Sequence, residues 1–119
     1  MATGCSGQVA APQVTVTRAQ IDSARVVGDL RYLSSPELEG RATGTAGNAL
    51  AREYIEREFT EAGLLPFEGG FAVPFTLGGR EGVNVVGYVR GSERPGRYIV
   101  VTAHYDHLGV RDGEIYHGA

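Results

Sequence analysis

Ile99, Val100 and Val101 are apolar at three successive positions, with no polar residue alternating between them. A strand with one wet face alternates, so an unbroken run predicts a strand covered on both sides. A strand of that kind needs a layer of other elements above and below its sheet.

The residues before it offer two such elements. Ile21, Ala24, Val27, Leu30 and Leu33 recur every three or four positions, which predicts an amphipathic helix from a Thr17 N-cap to a stop at Ser34-Ser35-Pro36. Glu37 to Gly44 reads as a loop from its glycines. Ala46, Leu50, Tyr54, Ile55, Phe59 and Ala62 then form the stripe of a second helix over 45–62. A Glu53–Arg57 pair is expected on its outer face, and Gly63 stands where a C-terminal cap would. After Pro66 the pattern changes to strands: Phe71–Leu77, pushed to an edge by Pro74, then Val83–Arg90 and Arg97–Ala103. The last two are expected to pair as a hairpin across 91–96, with the strand ending at Ala103 central. Two helices followed by strands of a mixed sheet read as an α/β protein. A length of 119 residues suits one domain over 17–119, preceded by a flexible tail at 1–16.

Composition removes several chemistries. All 11 basic residues are Arg. A P-loop, a Schiff-base enzyme and a Ser–Lys hydrolase each need a lysine amine, so none is available. A formal net charge of −3 without a basic tract argues against a nucleic-acid surface. The single cysteine excludes an internal disulfide and a multi-cysteine zinc site. No apolar run approaches the ~20 residues that cross a bilayer, and no serine lies in a Gly-x-Ser-x-Gly setting. The small residues leading into Cys5 are similar to the cleavage box of a bacterial lipoprotein, although no apolar stretch precedes them. They read either as a lipid-anchor site at Cys5 or as a tail holding a chance cysteine.

Chemistry concentrates at His104-Tyr105-Asp106-His107, directly after the apolar run. In open α/β sheets ligands bind at the carboxyl ends of strands. Side chains at i and i+2 of an extended segment point the same way, so His104 and Asp106 would share a side. A metal-bound imidazole is held in one tautomer by an acceptor on its other nitrogen, and a carboxylate can be that acceptor. His104 and Asp106 therefore suit half of a metal site, and equally a surface histidine beside a turn-capping aspartate. Glu37 and Glu39 read as solvated loop carboxylates.

Three patches, in order, resemble the di-zinc aminopeptidase family, the co-catalytic zinc exopeptidases that include bacterial leucyl aminopeptidases, aminopeptidase Y and glutamate carboxypeptidases. They are Leu33-Ser-Ser-Pro-Glu-Leu-Glu-Gly-Arg-Ala-Thr-Gly-Thr-Ala-Gly47 with the helix after it, Asn84-Val-Val-Gly87, and Val100-Val-Thr-Ala-His-Tyr-Asp-His-Leu-Gly109. The resemblance implies the N-terminal part of a three-layer α/β/α zinc-exopeptidase fold. It implies His104 as a zinc ligand and Asp106 as the catalytic-site carboxylate that orients it. His107 and His117 match no ligand position, and Gly40-Arg41 takes a structural loop role. Two zinc ions, hydrolysis of N-terminal peptide bonds, and peptide or protein N-termini as substrates follow from the resemblance. A periplasmic, cell-envelope or secreted location in a bacterium goes with it. The family's bridging carboxylate, glutamate pair and second histidine are not matched here. The sequence accordingly reads as a truncated portion that is inactive alone, whose uncovered strand favours self-association. The alternatives are a degenerate member acting as a binding module and a glutaminyl cyclase of the same fold.

Overall fold

The computed structural model describes residues 20–118. The expected tail, Cys5 and the Thr17 cap lie outside the described residues. Within them the chain is a mixed arrangement of helices and antiparallel strand pairs. Helix α1 spans Ser23–Leu33 and α2 spans Ala46–Glu61, joined by a 3-10 segment at Pro36–Arg41. Six strands follow: β1 (Leu65–Pro66), β2 (Ala72–Leu77), β3 (Arg80–Val85), β4 (Gly87–Tyr88), β5 (Gly109–Arg111) and β6 (Glu114–Tyr116). They pair as β1–β4, β2–β3 and β5–β6, each antiparallel.

Both helices start at a capping side chain. Asp22 accepts from the amides of Ala24 (2.9 Å) and Arg25 (3.3 Å), and so begins α1. Thr45 accepts from Asn48 N at 3.3 Å and so begins α2. The second helix ends as expected: Gly63 takes φ 72. Its amide donates to Thr60 O and the Leu64 amide to Phe59 O, each at 3.0 Å, the paired bonds of a Schellman cap.

The packing departs from the expected stripes. No residue of α1 is buried: Val27 and Leu30 are only about half covered, and Ile21 ahead of the helix is open. Polar and aromatic contacts tie α1 to α2 instead. Arg25 pairs with Glu58 at 2.7 Å, Tyr54 Oη donates to Asp29 at 2.5 Å, and the Tyr32 and Tyr54 rings stack 4.4 Å apart. On α2 the buried positions are Gly47, Asn48 and Ala51, while Leu50 is exposed. The backbone of the 3-10 segment lies directly against this small-residue face, since a Cβ on Gly47 would overlap the Leu38 carbonyl. Leu38, fully buried, fills the space between them. The helix's i,i+4 ion pair is Arg52–Glu56 (3.6 Å) rather than Glu53–Arg57, because Arg57 lies over the Tyr54 ring.

The hairpin also forms elsewhere. β2 turns into β3 through Gly78 and Gly79, both at positive φ (58 and 76), which matches the twist of a two-residue hairpin. Val83–Arg90 is not one strand. It divides into β3 and β4, and β4 pairs with β1 where Gly87 approaches Phe59 and Leu64 too closely for any side chain. Phe59 and Phe71 meet edge to face at 5.7 Å beside it. The expected central strand is absent among the described residues: 97–103 forms no ladder, and Ile99 is 97% exposed with Val100 and Val101 also open. Among the described residues no strand pairs with this run, and its apolar side chains stay open.

Candidate functional site

The best-packed region is the glycine-rich loop. Glu39, Gly40 and Arg41 adopt φ values of 47, 66 and 50 in succession. Two non-glycine residues in the left-handed region cost roughly 1 kcal/mol each or more. Gly40 is required there, because a Cβ would meet the Gly109 carbonyl oxygen at 2.7 Å. The turn sends the Arg41 side chain inward, where it is only 4% exposed.

Its guanidinium then binds three separate segments. Nε donates to Tyr105 O (2.9 Å), Nη1 to Leu33 O and to His117 O (2.9 Å), and Nη2 to Gly118 O (2.8 Å). The Arg41 carbonyl in turn accepts from His107 N at 3.1 Å and Asn48 Nδ2 at 3.3 Å. Burial pulls this guanidinium below its usual pKa range, while the Asp106 carboxylate pushes it back up. It stays charged, since arginine does not deprotonate in proteins. One buried fork of donors thus fixes the end of α1, the His104–His107 segment and the residues after β6.

The histidine and aspartate singled out by the sequence sit on this anchor. His104 Nδ1 lies 2.9 Å from the Asp106 carbonyl oxygen and 3.4 Å from its carboxylate Oδ1. A carbonyl only accepts, so Nδ1 is the donor in this contact, and in the neutral imidazole the lone pair is then on Nε2. The His104 side chain is 81% exposed, leaving that lone pair open to solvent. The second carboxylate oxygen of Asp106 accepts from Thr43 Oγ1 at 2.8 Å. Tyr105, between them, turns the other way. Its hydroxyl donates to Val83 O at 2.7 Å, and burial chiefly raises its pKa. His104 and Asp106 therefore share a side, and they do so in a loop rather than at the end of a strand.

The neighbouring histidines are occupied differently. The His107 ring packs against Gly118, where no Cβ could fit. His117 Nδ1 lies 2.7 Å from Ser34 O. Glu37 and Glu39 are exposed. Zinc takes imidazole nitrogen readily, and an imidazole with its other nitrogen already held fits one corner of such a site. Among the described residues no three His, Cys, Asp or Glu side chains cluster closely enough to complete it.

Sequence reasoning located His104 and Asp106 but missed what holds them, namely the depth of Arg41 and the contact of Thr43. Arginine between two small residues in a loop reads as solvated, and only its left-handed backbone turns it inward. No family model, curated protein or solved structure matches the chain.

Proposed function

We propose that this chain carries the first metal motif of a zinc-dependent aminopeptidase with a three-layer α/β/α fold, acting on peptide or protein N-termini. The observation behind the proposal is the His104–Asp106 pair: one imidazole nitrogen is committed to Asp106 and the other is free and exposed. His104 would hold the metal, and Asp106 would fix the tautomer and ring direction. A zinc ion held there would supply Lewis-acid chemistry for activating water and a substrate carbonyl. Arg41 contributes by fixing the backbone at Tyr105, so the imidazole keeps one position without substrate. A catalytic zinc normally has three protein ligands and a water. In this reading the other ligands, the second zinc and the general base come from outside the described residues. The setting of Cys5 supports a periplasmic or envelope location with a lipid anchor.

The test is the intact mass, metal content and aminoacyl-anilide hydrolysis of the protein isolated from its source. The expected result is two zinc ions and chelator-sensitive hydrolysis. His104→Ala should lose most of that activity while retaining its circular dichroism, and the 119-residue chain alone should hydrolyse nothing. A native protein without zinc overturns the reading. So does chelator-sensitive turnover by the 119-residue chain after removal of contaminating peptidases.

A further inference from the structure

Every residue from Arg97 to His104 is exposed, and none from 97 to 103 takes part in a ladder. Tyr98, Ile99, Val100 and Val101 lie between 78% and 97% open to solvent, four large apolar side chains in succession. Single exposed apolar residues are ordinary, whereas a contiguous patch of them marks an interaction surface. Tyr98 to Ala103 holds no charge, no proline and no glycine, and half of it is valine or isoleucine. That is the composition of a segment that adds to the edge of another strand. The run is also anchored where it ends. Tyr105 O accepts from Arg41 Nε at 2.9 Å, and Tyr105 Oη donates to Val83 O at 2.7 Å. The fold therefore meets part of the ordering cost that a free peptide would bring to association.

We propose that 97–103 is a self-recognition strand, which pairs antiparallel with the same segment of a second copy about a two-fold axis at Val100. The segment is self-complementary in that register. Tyr98 lies opposite Thr102, Ile99 opposite Val101 and Val100 opposite its own copy. Aromatic and β-branched residues facing one another are the cross-strand pairs that stabilise a sheet. Arg97 falls opposite Ala103. A parallel, in-register pair would instead set Arg97 against Arg97, and like charges directly opposed are destabilising. The two-fold axis makes each off-axis pair occur twice, so a self-fitting patch serves both copies. The four apolar side chains can bury up to roughly 450 Å² per copy, about 900 Å² in the pair. Specific interfaces of that area are small, and the dimer should be weak, with a Kd on the order of tens of micromolar. The inference stands apart from the reading of His104 as a metal ligand.

The experiment follows the 119-residue chain by sedimentation velocity from about 1 to 500 μM, with hydrogen exchange of the 98–102 amides at both ends of that range. Wild type should move from the 12.6 kDa monomer to twice that mass or more, and those amides should become protected only at the high concentration. Ile99→Lys and Val101→Glu each set a charge opposite an apolar side chain at two places in the pair. Each should weaken association about 10-fold or more, with unchanged circular dichroism and urea midpoint, since both side chains are open in the monomer. An equimolar mixture of the two variants should recover association to within about threefold of wild type, because the register sets the new ammonium opposite the new carboxylate. A chain that stays monomeric throughout overturns the proposal. In that case protected 98–102 amides would place the cover within the chain's own fold, and unprotected ones would leave the run to a different partner. Association untouched by both variants would lie on another surface and also overturns it. So does a mixture that fails to recover, which removes the antiparallel register, and so does a lost association that comes with a lowered urea midpoint.

Discussion

Replacing Arg41 by methionine keeps an apolar stem of similar length and removes the guanidinium. Four carbonyls, those of Leu33, Tyr105, His117 and Gly118, then lose a charged donor. Net hydrogen bonds from a charged group are worth about 1.5–3 kcal/mol each, so four give roughly 6–12 kcal/mol as an upper bound. Two effects reduce that figure. The unfolded chain no longer gives up the solvation of a guanidinium on folding, and the carbonyls of the exposed residues His117 and Gly118 can turn to water. A loss of about 3–5 kcal/mol remains, which is a large part of the ~5–15 kcal/mol of a small domain. Lysine is the informative companion. Its ammonium donates from a single point, whereas the acceptors belong to three separate segments, so about half the bonds and about 1.5–3 kcal/mol should be lost. Urea unfolding followed by circular dichroism reads both variants. With a slope of about 1.5 kcal/mol/M, Arg41→Met should lower the midpoint by roughly 2–3 M, or abolish the transition altogether. Arg41→Lys should fall between it and wild type. An Arg41→Met midpoint within about 0.5 M of wild type would mean the buried fork is not what holds the site together.

Two glycines give opposite outcomes for one chemical change. Gly47→Ala should destabilise by about 2 kcal/mol or more, because its methyl overlaps the Leu38 carbonyl. Gly28→Ala should stabilise by about 0.5–1 kcal/mol, since Gly28 lies inside α1 with nothing near its Cβ. Thermal unfolding of the two variants checks both signs. Tyr54 carries a pH signature: burial first, and its bond to Asp29 second, push its hydroxyl from 10.0 up to about 12. The folded state holds that proton more tightly than the unfolded state, so its contribution to stability is complete below pH 10.0 and lost as pH rises towards about 12. Tyrosinate absorbance should show late titration from Tyr54 and Tyr105, and Tyr54→Phe should remove the Tyr54 part of it; a late phase unchanged in Tyr54→Phe would contradict it.

Local signals in the sequence carried the elements that close on themselves. The Gly63 cap, the Thr45 start of α2 and the position of β2 follow from residues within a few places of each one. The hairpin was expected across 91–96 and forms instead at Gly78-Gly79, whose two glycines both reach positive φ without strain. Burial was not legible. Periodicity promised a core along Ile21–Leu33 and Ile99–Val101, yet among the described residues the core is Leu38 and Ala51 around a buried arginine. An apolar stripe records what a face can bury against; α2 meets α1 through Arg25, Asp29 and Tyr32 rather than through that stripe, and no described strand pairs with 97–103. The left-handed turn at Glu39–Arg41 sits against propensity at two non-glycine residues, so only the surrounding bonds reveal it. The His104–Asp106 pair was found because it depends on i,i+2 proximity alone, whereas Thr43 is 63 residues from its partner.

The most direct test of His104 as a metal ligand is nitrogen NMR of the histidine rings, recorded above the histidine titration range with and without added zinc. The account predicts His104 in the Nδ1-protonated form before zinc is added, with the largest zinc-induced shift at its Nε2. A His104 ring protonated on Nε2, or zinc shifts confined to His107 and His117, would contradict it.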